Sequence, residues 1–372
     1  MSTNTYIDVH VIQTLPPSNV NRDDTGSPKT AVFGGVTRAR VSSQAWKRAT
    51  RLAFENFLDS KDLALRTKRV VEVLLTRTAS QAPDLAEDVR LDAVRKVLTS
   101  ALGVKLTKNK KDDPYEESGY LVFLSNLQLD SLAEAAVKVA RGEEFDTKAL
   151  RAIAKADNSV DLALFGRMVA DVTDLRVDAA AQVAHAISVH AVENEFDYYT
   201  AIDDDKSKDA EEGAGAGMIG TVEFNSSTLY RYATVSVHRL RENLGDDEAV
   251  VRGVEAFVRG FVTSMPSGKQ NTFANRTLPD AVIITVRGDQ PVNWVGAFEQ
   301  AITGVGRVGK ASTALVRYVT DLEKAFGRGR RHTWVVRVGE AAAPLAELGS
   351  DVSFEEAVAA LVGAIRTGAD LQ

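Results

Sequence analysis

The chain has 372 residues, long enough for a large core shared by two or three domains or by one domain with long insertions. Its 45 Lys and Arg against 51 Asp and Glu leave a net charge of -6, which excludes a wholesale polycation, so a nucleic-acid site would have to be a confined patch or groove. The absence of cysteine excludes disulfides, thiolate metal sites and cysteine catalysis, and it suits a reducing cytoplasm. The N-terminus MSTNTYIDVHVIQTL lacks the basic start and apolar core of a signal peptide, and no apolar run reaches membrane-spanning length. The expectation is a soluble cytoplasmic protein with no membrane partner.

In chain order, Tyr6–Leu15 reads as a strand in which Ile7, Val9 and Val11 face inward and alternate with Asp8, His10 and Ile12. The loop from Pro16 to Lys29 leads to an extended segment, Ala31–Val41, broken at Gly34-Gly35. Ser42 is placed to N-cap a helix with Trp46, Ala49, Ala53 and Phe57 as its buried stripe, and with Gln44, Lys47 and Arg51 on another face. Residues 61 to about 181 have helical periodicity, interrupted by a solvated Lys/Asn/Asp run at 108–114, and read as one helical insertion. Val177–Val192 is expected to be a further helix, carrying His185 and His190 on different faces.

Residues 203–220, DDDKSKDAEEGAGAGMIG, can form almost no core and are expected to make a mobile tip. Strand character returns at Thr221–Phe224 and at residues 229–240. Helix at Asp247–Thr263, strand at Ala281–Val286, helices at Val292–Thr303 and Lys310–Phe326, strand at Thr333–Val338 and helix at Ser353–Arg366 complete the chain. With the helical block and the tip set aside, the order fits an α+β sandwich of the ferredoxin-like, RNA-recognition type.

Few motifs carry chemistry. Gly215-Ala-Gly217-Met-Ile-Gly220 spells GxGxxG but follows an acidic run where a strand is required, and Gly304–Lys310 resembles a P-loop but continues with Ala311 where Ser or Thr is needed. The second string reads better as a basic glycine loop able to touch phosphate. The five histidines make no metal-ligand spacing, and no cofactor or metal site is expected. Asp23 and Asp24 could hold a metal for phosphodiester hydrolysis, although capping the loop and pairing with Arg22 is the simpler role.

The strongest signal is residues 22–51, where seven Lys or Arg stand against two Asp. A helix start with hydroxyls at Ser42 and Ser43 followed by Gln44, Lys47 and Arg51 could track several phosphates, and a solvated charged face accounts for the same spacing. Tyr198 and Tyr199, at the root of the tip, could stack on bases or be buried locally.

The run NRDD…K…AVFGG…R.R.SSQ.WKRA.R, with GRM at 166–168, AHAIS.H at 184–190, FDYYTA.DD at 196–204 and F.S...YRYA at 224–233, resembles the CasC family, the crRNA-binding backbone subunits of type I-E CRISPR Cascade. The resemblance runs in order over most of the chain; the acidic tip and the segment after Arg287 contribute little to it. It implies an RNA-recognition palm (1–60, 184–194 and 226–372), a helical fingers domain (61–183) and a β-hairpin thumb (195–225). It also implies a non-catalytic scaffold polymerising along crRNA, with target DNA pairing through that crRNA.

The partners so implied are further copies of itself and the large, small, 5′-handle-capping and crRNA-processing subunits. By position in the motifs, Arg22, Lys29, Ser42, Gln44, Lys47 and Arg51 would contact the RNA backbone, Met168 would pack on a displaced base, and Tyr198 and Tyr199 would be the thumb's bulky pair. Lys269 and Gln270 rest on a short Gly-Lys-Gln match. The alternative is a metal-dependent nuclease acting on target RNA through Asp23 and Asp24.

Overall fold

The structure, a computed structural model, describes residues 4–108, 113–168, 173–202, 216–327 and 329–367. Most of the expected acidic tip and the centre of the 108–114 run lie outside the described residues. The chain begins with β1 (Tyr6–Ser18), β2 (Thr30–Phe33), β3 (Val36–Val41) and α1 (Ser43–Ala53). A block follows of β4 (Ala64–Thr67), α2 (Val70–Gln81), α3 (Glu87–Leu102), β5 (Leu106–Thr107), β6 (Glu117–Ser118), β7 (Val122–Ser125), α4 (Asn126–Ala140), α5 (Thr147–Lys155) and α6 (Val160–Phe165). Next come β8 (Ala181–Val183), β9 (Ala186–Ser188), β10 (Glu195–Ile202), β11 (Ala216–Ser236), α7 (Val237–Leu244), α8 (Asp247–Thr263) and α9 (Gln270–Phe273). The chain closes with β12 (Ala281–Arg287), α10 (Arg307–Phe326), β13 (Arg330–Arg337), β14 (Ser350–Asp351) and α11 (Phe354–Arg366).

β1 is central, antiparallel to β11 on one side and to β12 on the other, while β8 and β9 continue the sheet beyond β11. The order β12, β1, β11, β9, with α1 and α8 as the two crossing helices, is the fourth-first-third-second order of a ferredoxin-like split βαβ unit. The palm is therefore the α+β, RNA-recognition type. α1, α8 and α11 cover one face, burying Trp46, Phe54, Phe257, Phe261 and Leu361 against Ile7, Val9 and Val11.

The other face is buried as well. Ile12, Tyr230, Tyr232 and Ile283 lie under Trp294, Phe298, Leu315 and Leu345. His10 stacks on Trp294 with ring centroids 3.6 Å apart and planes 1° from parallel. The one-sided reading of β1 is thus corrected: Asp8, His10 and Ile12 are buried too, because the C-terminal segment roofs the second face. An open RNA-recognition sheet stacks bases on that face; here the roof removes it from solvent.

The helices α2 to α5 bury a third core of their own, with Leu74, Val94, Leu98, Leu124 and Leu132 fully or nearly fully shielded. Ser125 opens α4 through a reciprocal capping box with Gln128, so the apolar run before it, expected as helix, is the strand β7. The hairpin β10–β11 projects from the sheet and pairs only with itself over Glu195–Ile202.

Other expectations are corrected. Residues 177–192 contain no helix: β8 and β9 take their place because ladder partners on β11 are available, Val183 opposite Ala233 and Ser188 opposite Leu229. His185 and His190 therefore share no helix. Residues 216–220 belong to β11, which runs unbroken to Ser236, and that serine caps α7 where strand was expected to continue. Of Val292–Thr303 only a short 3-10 turn, Trp294–Phe298, is helical. α1 ends at Ala53, so Phe54 takes the buried place expected for Phe57, which is 38% exposed.

Candidate nucleic-acid interface

The site is built from the start of α1. Ser42 is extended and its Oγ accepts the Ala45 N–H at 3.3 Å, as a helix N-cap does. Asn21 Oδ1 accepts the Ser42 N–H at 2.8 Å and His185 Nδ1 accepts the Ser43 N–H at 3.0 Å. These bonds tie the helix start to the Asn19–Lys29 loop and to the β8–β9 connection. Trp46, Ala49 and Thr50 face the core, which leaves Gln44, Lys47, Arg48 and Arg51 on the open side.

Arg51 is steered by two neighbours. Its guanidinium lies 3.8 Å from Asp161 Oδ2 and 5.8 Å from the Phe123 ring centroid. Asp161 is buried, which raises its pKa, and it also accepts from Ser159 Oγ and from the Ala64 and Leu162 N–H groups. Partial burial lowers the pKa of Lys47, as expected where an ammonium leans on apolar surface.

Gln44, Lys47, Arg48 and Arg51 form one wall of a groove of about 960 Å³. Arg66, Tyr120–Leu124 and Phe165–Met168 line the same groove, so basic and apolar side chains share it. Met168 enters this groove 90% exposed. Its presentation is explained by its neighbours in the GRM triplet: Gly166 has φ +78° and a Cβ there would sit 2.8 Å from Val177 O. Arg167 is buried and donates to the carbonyls of Leu175, Ala154 and Phe123 and to Gln128 Oε1. With glycine making the turn and arginine anchoring it, methionine is left in the open.

Arg22, Asp23 and Asp24 line a second, shallower depression together with Gly268. A Cβ at Gly268 would lie 2.1 Å from Val20 O, so only glycine lets this loop approach, and it brings Lys269 and Gln270 to the start of α9 beside the Arg22 loop. Lys29 and Arg40 line a third depression that shares Val20 and Asn21 with the second. Asp23 Oδ1 accepts from Thr25 N–H, Thr25 Oγ and Ser27 N–H, an Asx-type loop cap that also holds its pKa down. The capping role expected for Asp23 is present; among the described residues Arg22 pairs with neither aspartate, and no group of three His, Asp or Glu is placed to hold a metal.

Tyr198 and Tyr199 line none of these depressions. On β10 they point to opposite faces: Tyr199 lies over Gly220, where a Cβ would meet its ring at 2.5 Å, and Tyr198 shares its face with Phe196. Phe196 is 69% and Tyr198 62% exposed, a pair that i, i+2 alternation in FDYY could have revealed. The hairpin root is tied to the Asn19–Lys29 loop through Glu223, whose carboxylate accepts from Ser27 Oγ and Asn194 Nδ2 and whose carbonyl accepts from Asn19 Nδ2. Arg66 and Glu223 carry no local signal in the sequence.

Neither glycine string holds a nucleotide motif. Residues 216–220 are strand, and Gly306 caps α10 after irregular chain where a P-loop needs a strand.

The model of the CT1975-like protein family, Cas_CT1975, matches residues 7–360. The chain belongs to this family. It is 36% identical to a subunit of a "CRISPR RNA-guided surveillance complex, pre-nicking", with a TM-score of 0.87, 97% of this chain and 100% of that chain covered. A subunit of another "CRISPR RNA-guided surveillance complex" is 31% identical, with a TM-score of 0.75 and 96% and 99% covered. No curated protein matches. The resemblance to CasC seen in the Asn21–Arg51 run is thereby borne out, and with it the fold: a ferredoxin-like palm carrying a helical insertion and a projecting hairpin.

Proposed function

We propose that this family member is the backbone subunit of a type I-E CRISPR Cascade complex, a non-catalytic scaffold that polymerises along crRNA in the cytoplasm and presents it for pairing with target DNA. The palm would comprise 1–60, 184–194 and 226–372, the fingers 61–183 and the thumb 195–225. The observation that carries the reading is the groove lined by Gln44, Lys47 and Arg51 together with Met168, cations and apolar side chains at one site. Such a site suits a phosphate backbone and an unstacked base and has no base-edge code, so sequence would be read by guide–target pairing alone. Ser42 would act through the helix start it caps, while Arg22, Lys29, Lys269 and Gln270 would continue the phosphate track along the adjoining depressions.

Tyr198 and Tyr199 would belong to the thumb, reaching RNA held by a neighbouring copy. The other Cascade subunits would be the large, small, 5′-handle-capping and crRNA-processing ones. The experiment is to purify the protein with its co-expressed partners and size the bound nucleic acid. One RNA of uniform length is expected; a heterogeneous mixture would refute the filament. The nuclease alternative is tested by adding complementary RNA and magnesium to that complex, since regularly spaced cuts lost in Asp23→Ala or Asp24→Ala would overturn a non-catalytic role. The Asx cap on Asp23 favours no cleavage.

A further inference from the structure

From the β8–β9 connection, the His185 side chain reaches the very start of α1. Its Nδ1 accepts the Ser43 N–H at 3.0 Å. A ring nitrogen that accepts carries no proton, so the neutral imidazole must hold its hydrogen on Nε2. The residue is exposed, and Nε2 has no hydrogen-bond partner among the described residues. Partial burial, then the Arg40 and Lys29 charges, push the ring pKa down, so the neutral form persists at neutral pH; no carboxylate contributes.

The helix start around it has one donor to spare. Ser43 N–H goes to His185, Ala45 N–H to Ser42 Oγ and Trp46 N–H to Ser42 O, while no acceptor for the Gln44 N–H is found among the described residues. Lys29 and Arg40 supply positive charge to the same corner. A neutral N–H donor with a preset tautomer, a spare helix N–H and two cations together fit one ligand group, an anionic phosphate oxygen.

We propose that His185 is a direct RNA contact, donating from Nε2 to a backbone phosphate seated at the start of α1, between the Lys29 depression and the Lys47–Arg51 groove. The inference rests on the RNA-gripping reading of that groove. The Ser43 bond has a second purpose: it turns the ring so that the donor, and not the lone pair, faces the RNA.

Two substitutions separate a contact from a mere cap. In His185→Asn the amide oxygen can replace Nδ1 toward Ser43 but the side chain is too short to replace Nε2. In His185→Gln the longer amide can offer an N–H near the Nε2 position. The full-length chain is titrated with a fluorescent single-stranded RNA, with Lys47→Ala/Arg51→Ala as control and thermal melting as the check on folding. His185→Asn is expected to weaken binding about fivefold to tenfold with unchanged melting, and His185→Gln to recover to within about twofold of wild type. Wild-type affinity in His185→Asn, or equal loss in both variants, overturns the inference. If the wild-type chain binds RNA no better than the Lys47/Arg51 control, the groove reading itself has failed.

Discussion

Arg167 Nη2 donates to the Ala154 carbonyl at 2.9 Å, linking the segment that presents Met168 to the C-terminal turn of α5. The same guanidinium reaches Leu175 O, and among the described residues it has no carboxylate partner. Burial alone lowers its pKa to about 10, the cost of placing an unpaired cation against carbonyls. Lysine cannot reproduce the planar fork. Arg167→Lys should lower stability by about 2–3 kcal/mol in urea unfolding, by leaving buried carbonyls without donors, and should weaken RNA binding through a displaced Met168.

The Gly34-Gly35 turn contains one obligatory glycine and one replaceable one. Gly34 has φ +59° and an added Cβ would lie 1.7 Å from Glu299 O, whereas Gly35, at φ +78°, has open space. Arg38 anchors the same hairpin by donating to Phe33 O, Ser188 O and Phe298 O. Gly34→Ala should cost at least about 2 kcal/mol and Gly35→Ala only about 1 kcal/mol, compared by denaturant midpoints.

Asp8 is fully buried, with Oδ1 accepting from Tyr232 and Oδ2 from the Val292 N–H, and burial raises its pKa from 3.8 to about 6. The folded carboxyl thus keeps its proton after the unfolded one has lost it. Its contribution is fully present below pH 4 and is lost as pH rises through about 6, a change of roughly 3 kcal/mol. Asp8→Asn removes that titration, so wild type should lose about 3 kcal/mol relative to the variant between pH 3.5 and 7.5. Urea unfolding at the two pH values measures it, and a constant difference would refute it.

Lys47 and Arg51 line one wall of the groove. If each neutralises a phosphate, removing one should reduce the slope of log affinity against log salt by about 0.7, and removing both by about twice that. Exchanging both for glutamate should abolish assembly on RNA. Unchanged slopes would mean that the two cations are merely solvated.

Much of this was legible in the chain. α8 spans Asp247–Thr263 as periodicity and its Asp246 cap require, and Ser42 and Ser353 cap the helices they precede. Such elements are local: a cap bonds within three residues and an apolar stripe is decided by spacing. What failed was the assignment of Ala181–Ser188, where short buried strands owe their existence to β11, about 40 to 55 residues further along the chain. That Tyr198 and Tyr199 point to opposite faces follows only once the segment is known to be a strand, because adjacency in FDYY then becomes opposition.

The amino-acid sequence by itself determined the basic run at 22–51, the capped helix that carries Gln44, Lys47 and Arg51, and the family likeness, since these depend on residue type and short-range order. Only the tertiary structure decided what faces that helix. Met168 enters its groove because Arg167 is anchored among distant carbonyls, and the sheet face is withdrawn from solvent because Trp294 and Phe298 roof it. Helix starts and charge runs are written over a few residues; a groove with two walls exists only when segments more than a hundred residues apart are packed against each other.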